Sequence, residues 1–251
     1  EAPETSGETP LTLVGEARTG EGEALSEYFM EAVDLYLDWE TGEGALVGGG
    51  GFHAFAVEGD TPTITGFYAG QREAFDVMAA LSTGVYAAAE RSNNQIDLVQ
   101  VTDGNIAPEA SFTVGSLSEV AAADGRLYVA TYNGELLTYD VSNLRAPNKV
   151  HSTGGLSNPW DLIVHGDRGY VADAALGVVV VDLSDPDAPA VGAAVETAAS
   201  PQRVSVDGDT LFAAVGSAGV QAFSLADPDA PEPLWTMDYG AAVIDVHASG
   251  G

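Results

Sequence analysis

The sequence predicts an all-β fold assembled from a tandem repeat, on three observations. A strand-and-turn unit recurs: "GELLTYDVSNLRAP" (Gly134–Pro147), "GVVVVDLSDPDAP" (Gly177–Pro189) and "GVQAFSLADPDAP" (Gly219–Pro231), with looser copies ending at Pro62 and Pro108. The segment upstream of each copy repeats as well, as "GVYAAAE", "GRLYVAT", "RGYVADA" and "TLFAAVG", and its ring residues Tyr86, Tyr128, Tyr170 and Phe212 are evenly spaced. Apolar runs end after four to six residues at a Gly or Pro, whereas a helix needs about ten or more. A fixed period of this size marks a propeller or solenoid and outranks any local reading. The prediction is therefore a β-propeller of four-stranded blades, about 42 residues each, with five complete blades and a split sixth.

Taken in order, residues 1–9 form a polar lead-in without apolar periodicity, and the propeller domain runs over residues 10–251. The stretch Ala24–Leu37 has an amphipathic helical rival, but alignment with the repeat makes "AVDLYL" a first strand. Five units begin near Val33, Phe75, Glu119, Trp160 and Gln202. In the Trp160 unit the strands are "DLIV", "GYVAD", "VVVVDL" and "AVGAAV"; the unbroken valines 178–181 suit a strand covered on both faces. In the Gln202 unit they are "RVSV", "TLFAAV", "VQAFSL" and "PLWTM". The sixth unit is split. Leu11–Ala17 reads as its fourth strand and 242–248 as its first, which leads us to expect the polypeptide to continue past Gly251 by roughly twenty residues to supply the strands between.

Charge excludes several partners. The chain carries 38 acidic and 8 basic residues, a formal net charge of −30. Nucleic acid is excluded, since its binding needs phosphates neutralised by cationic side chains, and adsorption to an anionic membrane is disfavoured for the same reason. No apolar run approaches the ~20 residues of a membrane span, so membrane insertion is not expected. With no cysteine, neither a disulfide framework nor a thiolate metal site can form. The sequence shows neither an initiator Met nor a signal peptide and reads as a processed or excerpted chain.

Most candidate chemistry dissolves on inspection. The glycines Gly48–Gly51 resemble a dinucleotide loop, but they fall between the second and third strands of a blade and lack the βαβ setting. His53, His151, His165 and His247 scatter over different strands and give no convergent ligand set. Ser205, Ser217 and Ser224 have no nucleophile elbow around them. The "DPDAP" turns at Asp185 and Asp227 lack the alternating ligands of a calcium loop, and Asp bonding its own backbone ahead of proline explains them.

One constellation remains. At the entry to successive first strands stand Asp34, Asp76, Glu119, Asp161 and Asp245, with Arg203 replacing the acid in the fifth unit. First strands line a propeller's channel, so these residues are expected to ring one mouth, where each carboxylate raises its neighbours' pKa unless a cation or Arg203 offsets the repulsion. Such a ring would take a cation, calcium by its oxygen chemistry, or a cationic ligand. The competing expectation is solvated side chains that merely start strands.

The segments "GVVVVDLSDPDAPAVG", "GFHAFAVEGDTPTITG", "GELLTYDVSNLRAP" and "GVQAFSLADPDAP" also resemble the LVIVD-repeat proteins, bacterial and archaeal surface β-propellers, in their apolar strand, acidic turn and proline. The resemblance spans about Pro10–Gly251; the Gly51 and Ile96 copies depart from it in their turns. It implies an extracellular or cell-surface location, and fold alone does not fix chemistry. The expected function is a non-catalytic interaction module for a protein or carbohydrate partner. The alternative is a propeller-fold metal-dependent hydrolase or cation-binding protein that uses the acidic mouth.

Overall fold

A computed structural model describes residues 18–19, 32–38, 41–48, 50–58, 61–69 and 75–248. The described residues form strands and turns only, and among them no helix is long and apolar enough to cross a membrane. The strand β1 (Arg18–Thr19) pairs in parallel with the outer edge of the first blade. Blade 1 comprises β2 (Ala32–Leu37), β3 (Glu43–Gly48), β4 (Gly51–Glu58) and β5 (Thr61–Tyr68). Blade 2 is β6 (Val77–Ser82), β7 (Val85–Glu90), β8 (Gln95–Thr102) and β9 (Asn105–Thr113). Blade 3 is β10 (Leu117–Ala123), β11 (Arg126–Thr131), β12 (Glu135–Asp140) and β13 (Asn148–Gly154). Blade 4 is β14 (Pro159–His165), β15 (Arg168–Asp173), β16 (Gly177–Asp182) and β17 (Ala190–Val195). Blade 5 is β18 (Arg203–Asp207), β19 (Thr210–Ala214), β20 (Val220–Ser224) and β21 (Glu232–Met237).

Within each blade the four strands form an antiparallel meander in chain order. The first strands of successive blades lie side by side, β2 by β6, β6 by β10, β10 by β14 and β14 by β18, so they line a common axis. This is the predicted all-β propeller, five four-stranded blades about an axis. "AVDLYL" is a strand, as the repeat required; the rest of the helical rival, 24–31, lies outside the described residues. The repeat's glycines have a steric cause. Gly177 and Gly219 open the third strands with φ of 96° and 86°, and a Cβ there would run into the carbonyls of Val195 and Met237.

The core lies between blades rather than within one. Tyr128 and Ala130 of blade 3 pack with Leu162, Val171 and Val181 of blade 4; Tyr170 and Ala172 repeat this against Val204, Leu211 and Phe223 of blade 5. Sheet faces packed in this way bury alternate side chains on both sides, which is why third strands such as β16 read as continuous apolar runs.

One feature of the repeat shifts in three dimensions. Tyr86, one repeat before Tyr128, faces the other way and packs back on Tyr36 and Phe52 of blade 1, at ring-centroid distances of 5.8 and 5.4 Å. The cause is a β-bulge in β6 between Ala80 and Ser82, which takes up one extra residue. A one-residue slip turns a strand's side chains to its opposite face.

The sixth blade is not formed among the described residues. Its expected fourth strand, Leu11–Ala17, lies outside them. Its expected first strand, 242–248, makes one bridge, Val243 with Gly216, and Ala248 N–H donates to Ser205 Oγ at 3.0 Å. That segment lies beside β18, as each first strand lies beside its predecessor.

Candidate functional site

Strand register defines the axial ring. Asp34 stands opposite Val47, Val77 opposite Ala89, Glu119 opposite Ala130, Asp161 opposite Ala172 and Arg203 opposite Ala214. Asp245 follows Arg203 by the same interval that separates Arg203 from Asp161. Asp76 is not among these residues. It sits one residue before the equivalent position, which Val77 holds, and its carboxylate accepts from the Arg91 backbone N–H at 2.8 Å within its own blade. Val77 is buried in the apolar contact between blades 2 and 3.

Two of the ring carboxylates tie neighbouring blades together. Asp34 accepts from Leu35 N–H at 2.9 Å and from Met78 N–H of blade 2 at 2.8 Å. Asp161 accepts from Val204 N–H of blade 5 at 2.8 Å. At the valine position this bond is missing, and Val120 N–H is satisfied instead by Glu119 of its own strand, at 3.0 Å. Ser118 Oγ adds a bond to the Pro159 carbonyl between blades 3 and 4.

Glu119 is the centre of the charge network. Its carboxylate lies 3.2 Å from the Arg91 guanidinium and 3.5 Å from that of Arg203, so one side chain of blade 3 joins blades 2 and 5. Arg203 also lies 3.9 Å from Asp161 and donates to the Trp160 carbonyl at 2.9 Å. Arg91, in the turn after β7, was not visible as a ring member from the repeat, because the equivalent turn residue in blade 3 is Tyr132.

Burial and mutual repulsion set the electrostatics. Burial raises the Glu119 carboxyl well above the carboxylate range and Asp161 raises it further, while Arg91 and Arg203 pull it back. Burial likewise raises Asp161 and Asp34 against the pull of Arg203 and of their backbone donors. Burial alone would lower the Arg203 guanidinium, but Asp161, Glu119, Asp245 and Asp34 together hold it up. Four carboxylates thus face two guanidiniums around the axis. Among the described residues, no three His, Asp or Glu side chains gather closely enough to share a metal ion.

The two ends of the propeller differ. At the ring's end, the half-exposed Trp160 occupies the bulge between Pro159 and Asp161, and Tyr132 and Leu176 project from the turns after second strands. At the opposite end, the junctions of blades 3 with 4 and 4 with 5 are tied by a repeated ion pair. Arg126 bonds Asp187 in the next blade's acidic turn at 2.6 Å and Asp140 of its own blade at 3.1 Å; one repeat on, Arg168 does the same with Asp229 at 2.6 Å and Asp182 at 3.1 Å. The first aspartates of these turns accept from the backbone two residues on, Asp185 from Asp187 and Asp227 from Asp229, each at 3.1 Å.

Comparison with known proteins bears on the fold. Residues 114–153 and 158–197 match the LVIVD repeat. No curated protein matches the sequence. Among solved structures, the chain is similar to a protein from Lactobacillus plantarum, with TM-score 0.68 and 12% identity over 82% of this chain and 71% of that one. It is also similar to a chain of a nidogen/laminin complex, with TM-score 0.60 and 15% identity over 82% and 80% of the two chains. A third likeness is to the computationally designed Ika8 protein, with TM-score 0.67 and 8% identity over 92% and 70%. At such identities the likeness is one of fold. The two matched segments coincide with blades 3 and 4, and the chain is a β-propeller carrying LVIVD repeats.

Proposed function

We propose that this chain is a non-catalytic interaction module, at the cell surface or secreted, that presents the ring end of its propeller to a protein or carbohydrate partner. The carrying observation is the asymmetry of the two ends. Trp160, Tyr132 and Leu176 are exposed around the ring, while the far end's arginines are already engaged by its own acidic turns. Exposed aromatics at a rim supply rigid contact area at low entropic cost. The surplus of carboxylate at the axis favours a partner that brings a cationic group, which Trp160 can also meet through its ring face. A bound cation, calcium included, would relieve the same repulsion and is the second reading.

Titration calorimetry with an oligolysine peptide and with calcium chloride, on the wild type and on Trp160→Ala and Asp161→Asn, tests the cationic preference. Peptide binding weakened by both variants supports the first reading. Calcium binding weakened by Asp161→Asn alone supports the second. Wild-type binding unchanged in both variants places any cationic contact elsewhere.

A further inference from the structure

Arg203 is held differently from the other arginines that join blades. Arg126 and Arg168 each meet the next blade's aspartate at 2.6 Å, and Arg91 reaches the Ser118 carbonyl at 2.6 Å and Glu119 at 3.2 Å. Those are hydrogen-bond lengths. Arg203 stands 3.5 Å from Glu119 and 3.9 Å from Asp161, beyond that range. Among the described residues its guanidinium makes one hydrogen bond, to the Trp160 carbonyl at 2.9 Å. A guanidinium has five N–H donors, so most of them are left without a protein acceptor. The side chain is 29% exposed. Charge keeps it in place more than direct bonding does, since Asp161, Glu119, Asp245 and Asp34 all favour its cationic form. Strand register also puts Arg203 where Asp34, Glu119 and Asp161 stand in their own blades. A loosely bonded cation thus sits among carboxylates, at a position that elsewhere holds an acid.

We propose that Arg203 fills, in the free chain, the place that an arginine side chain of the partner takes in the complex, so that the ring end is a guanidinium site occupied in cis. The inference rests on the reading of the ring end as the docking face, and it names the class of the partner's cation and what controls its entry. The acceptors around Arg203 are the Glu119 and Asp161 carboxylates and the Trp160 carbonyl, supplied by blades 3 and 4. A planar guanidinium can serve acceptors spread in this way and also lie on an aromatic ring, whereas an ammonium is a compact point charge. Trp160, half-exposed beside them, offers that ring. Exchange of one guanidinium for another leaves the buried carboxylates compensated. A cation that entered beside Arg203 would instead meet a like charge.

Chemical rescue at constant ionic strength tests the exchange. In Arg203→Ala, millimolar methylguanidinium chloride should raise the melting temperature saturably, by about 2 °C or more. Methylammonium chloride should give less than half that gain, and neither salt should move the wild type. By calorimetry, octa-arginine should bind Arg203→Ala about tenfold or more tightly than the wild type, because a competing charge has been removed. Octalysine should gain less. Arg203→Gln, which keeps most of the side chain's packing, is a second variant for both measurements. Equal octa-arginine affinity in the wild type and both variants, without rescue, would show that Arg203 bars no site; this overturns the proposal and leaves the docking reading standing. Weaker binding by the variants would make Arg203 part of the contact itself, with the same consequence. Rescue by methylammonium as strong as by methylguanidinium would overturn the assignment to arginine. Binding of neither peptide to any of the chains would remove the docking reading, and the proposal with it.

Discussion

At the scale of single residues, the ring works by giving buried carboxylates backbone donors from the next blade, and its valine shows what one such residue supplies. Asp34 and Asp161 each accept from the next first strand, while Val77 fills its place with apolar packing. The buried acids carry a pH signature. Glu119, Asp161 and Asp34 hold protons more tightly folded than unfolded, so between the ordinary carboxylate pKa and the raised one the native state binds more protons. Stability is therefore lost as pH rises through that window and regained as it falls. Glu119→Gln removes the titrating group. In high salt, which screens the surface charge, it should flatten the rise in melting temperature on going from neutral pH to about pH 5. An unaltered slope would show that Glu119 is ionised throughout. The sequence showed the ring's acids but not which of them share the axis, because strand register leaves no mark in composition. The repeat spacing put Asp76 on the ring, and only the register of β6 moves it off. Arg91 left no signal either, since its turn position holds different residues in other blades.

At the scale of elements, strands and turns were legible because each is a local matter of chain chemistry. Short apolar runs, Gly where φ is positive and Asp ahead of Pro recur with the period and fix where strands start and stop. What could not be read was the work done by the acidic turns. Asp187 and Asp229 find arginines 61 residues away in sequence, a pairing set by the stacking of blades. Arg168→Ala should lower the melting temperature, more so at low ionic strength, because the latch is a partly exposed ion pair that salt already weakens. A loss of the same size at low and molar salt would make packing of the arginine stem the cause. The inter-blade core gives a sharper contrast. Tyr170→Ala should cost about 3–5 kcal/mol, the range for emptying a fully buried aromatic site. Phe212→Ala, on the open face, should cost clearly less in chemical denaturation, and equal costs would mean that Phe212 is as covered as Tyr170.

At the scale of the whole molecule, charge opposes compactness. A net charge of −30 on 251 residues repels itself, and screening should raise the melting temperature as sodium chloride increases towards roughly molar concentration. A flat or falling trend would mean that the carboxylates lie far enough apart not to matter. The central claim is also global: residues far apart in sequence meet because the blades close around one axis. Glu119 and Arg203 stand in blades 3 and 5 with a whole blade between them, yet lie 3.5 Å apart. A double-mutant cycle on Glu119→Gln and Arg203→Gln, with Asp76→Asn and Arg203→Gln as control, measures that meeting directly. The ring predicts a coupling of about 1 kcal/mol or more for the first pair and additivity within about 0.5 kcal/mol for the control. Additive effects for Glu119 and Arg203, or a coupling at Asp76 as large, would contradict it.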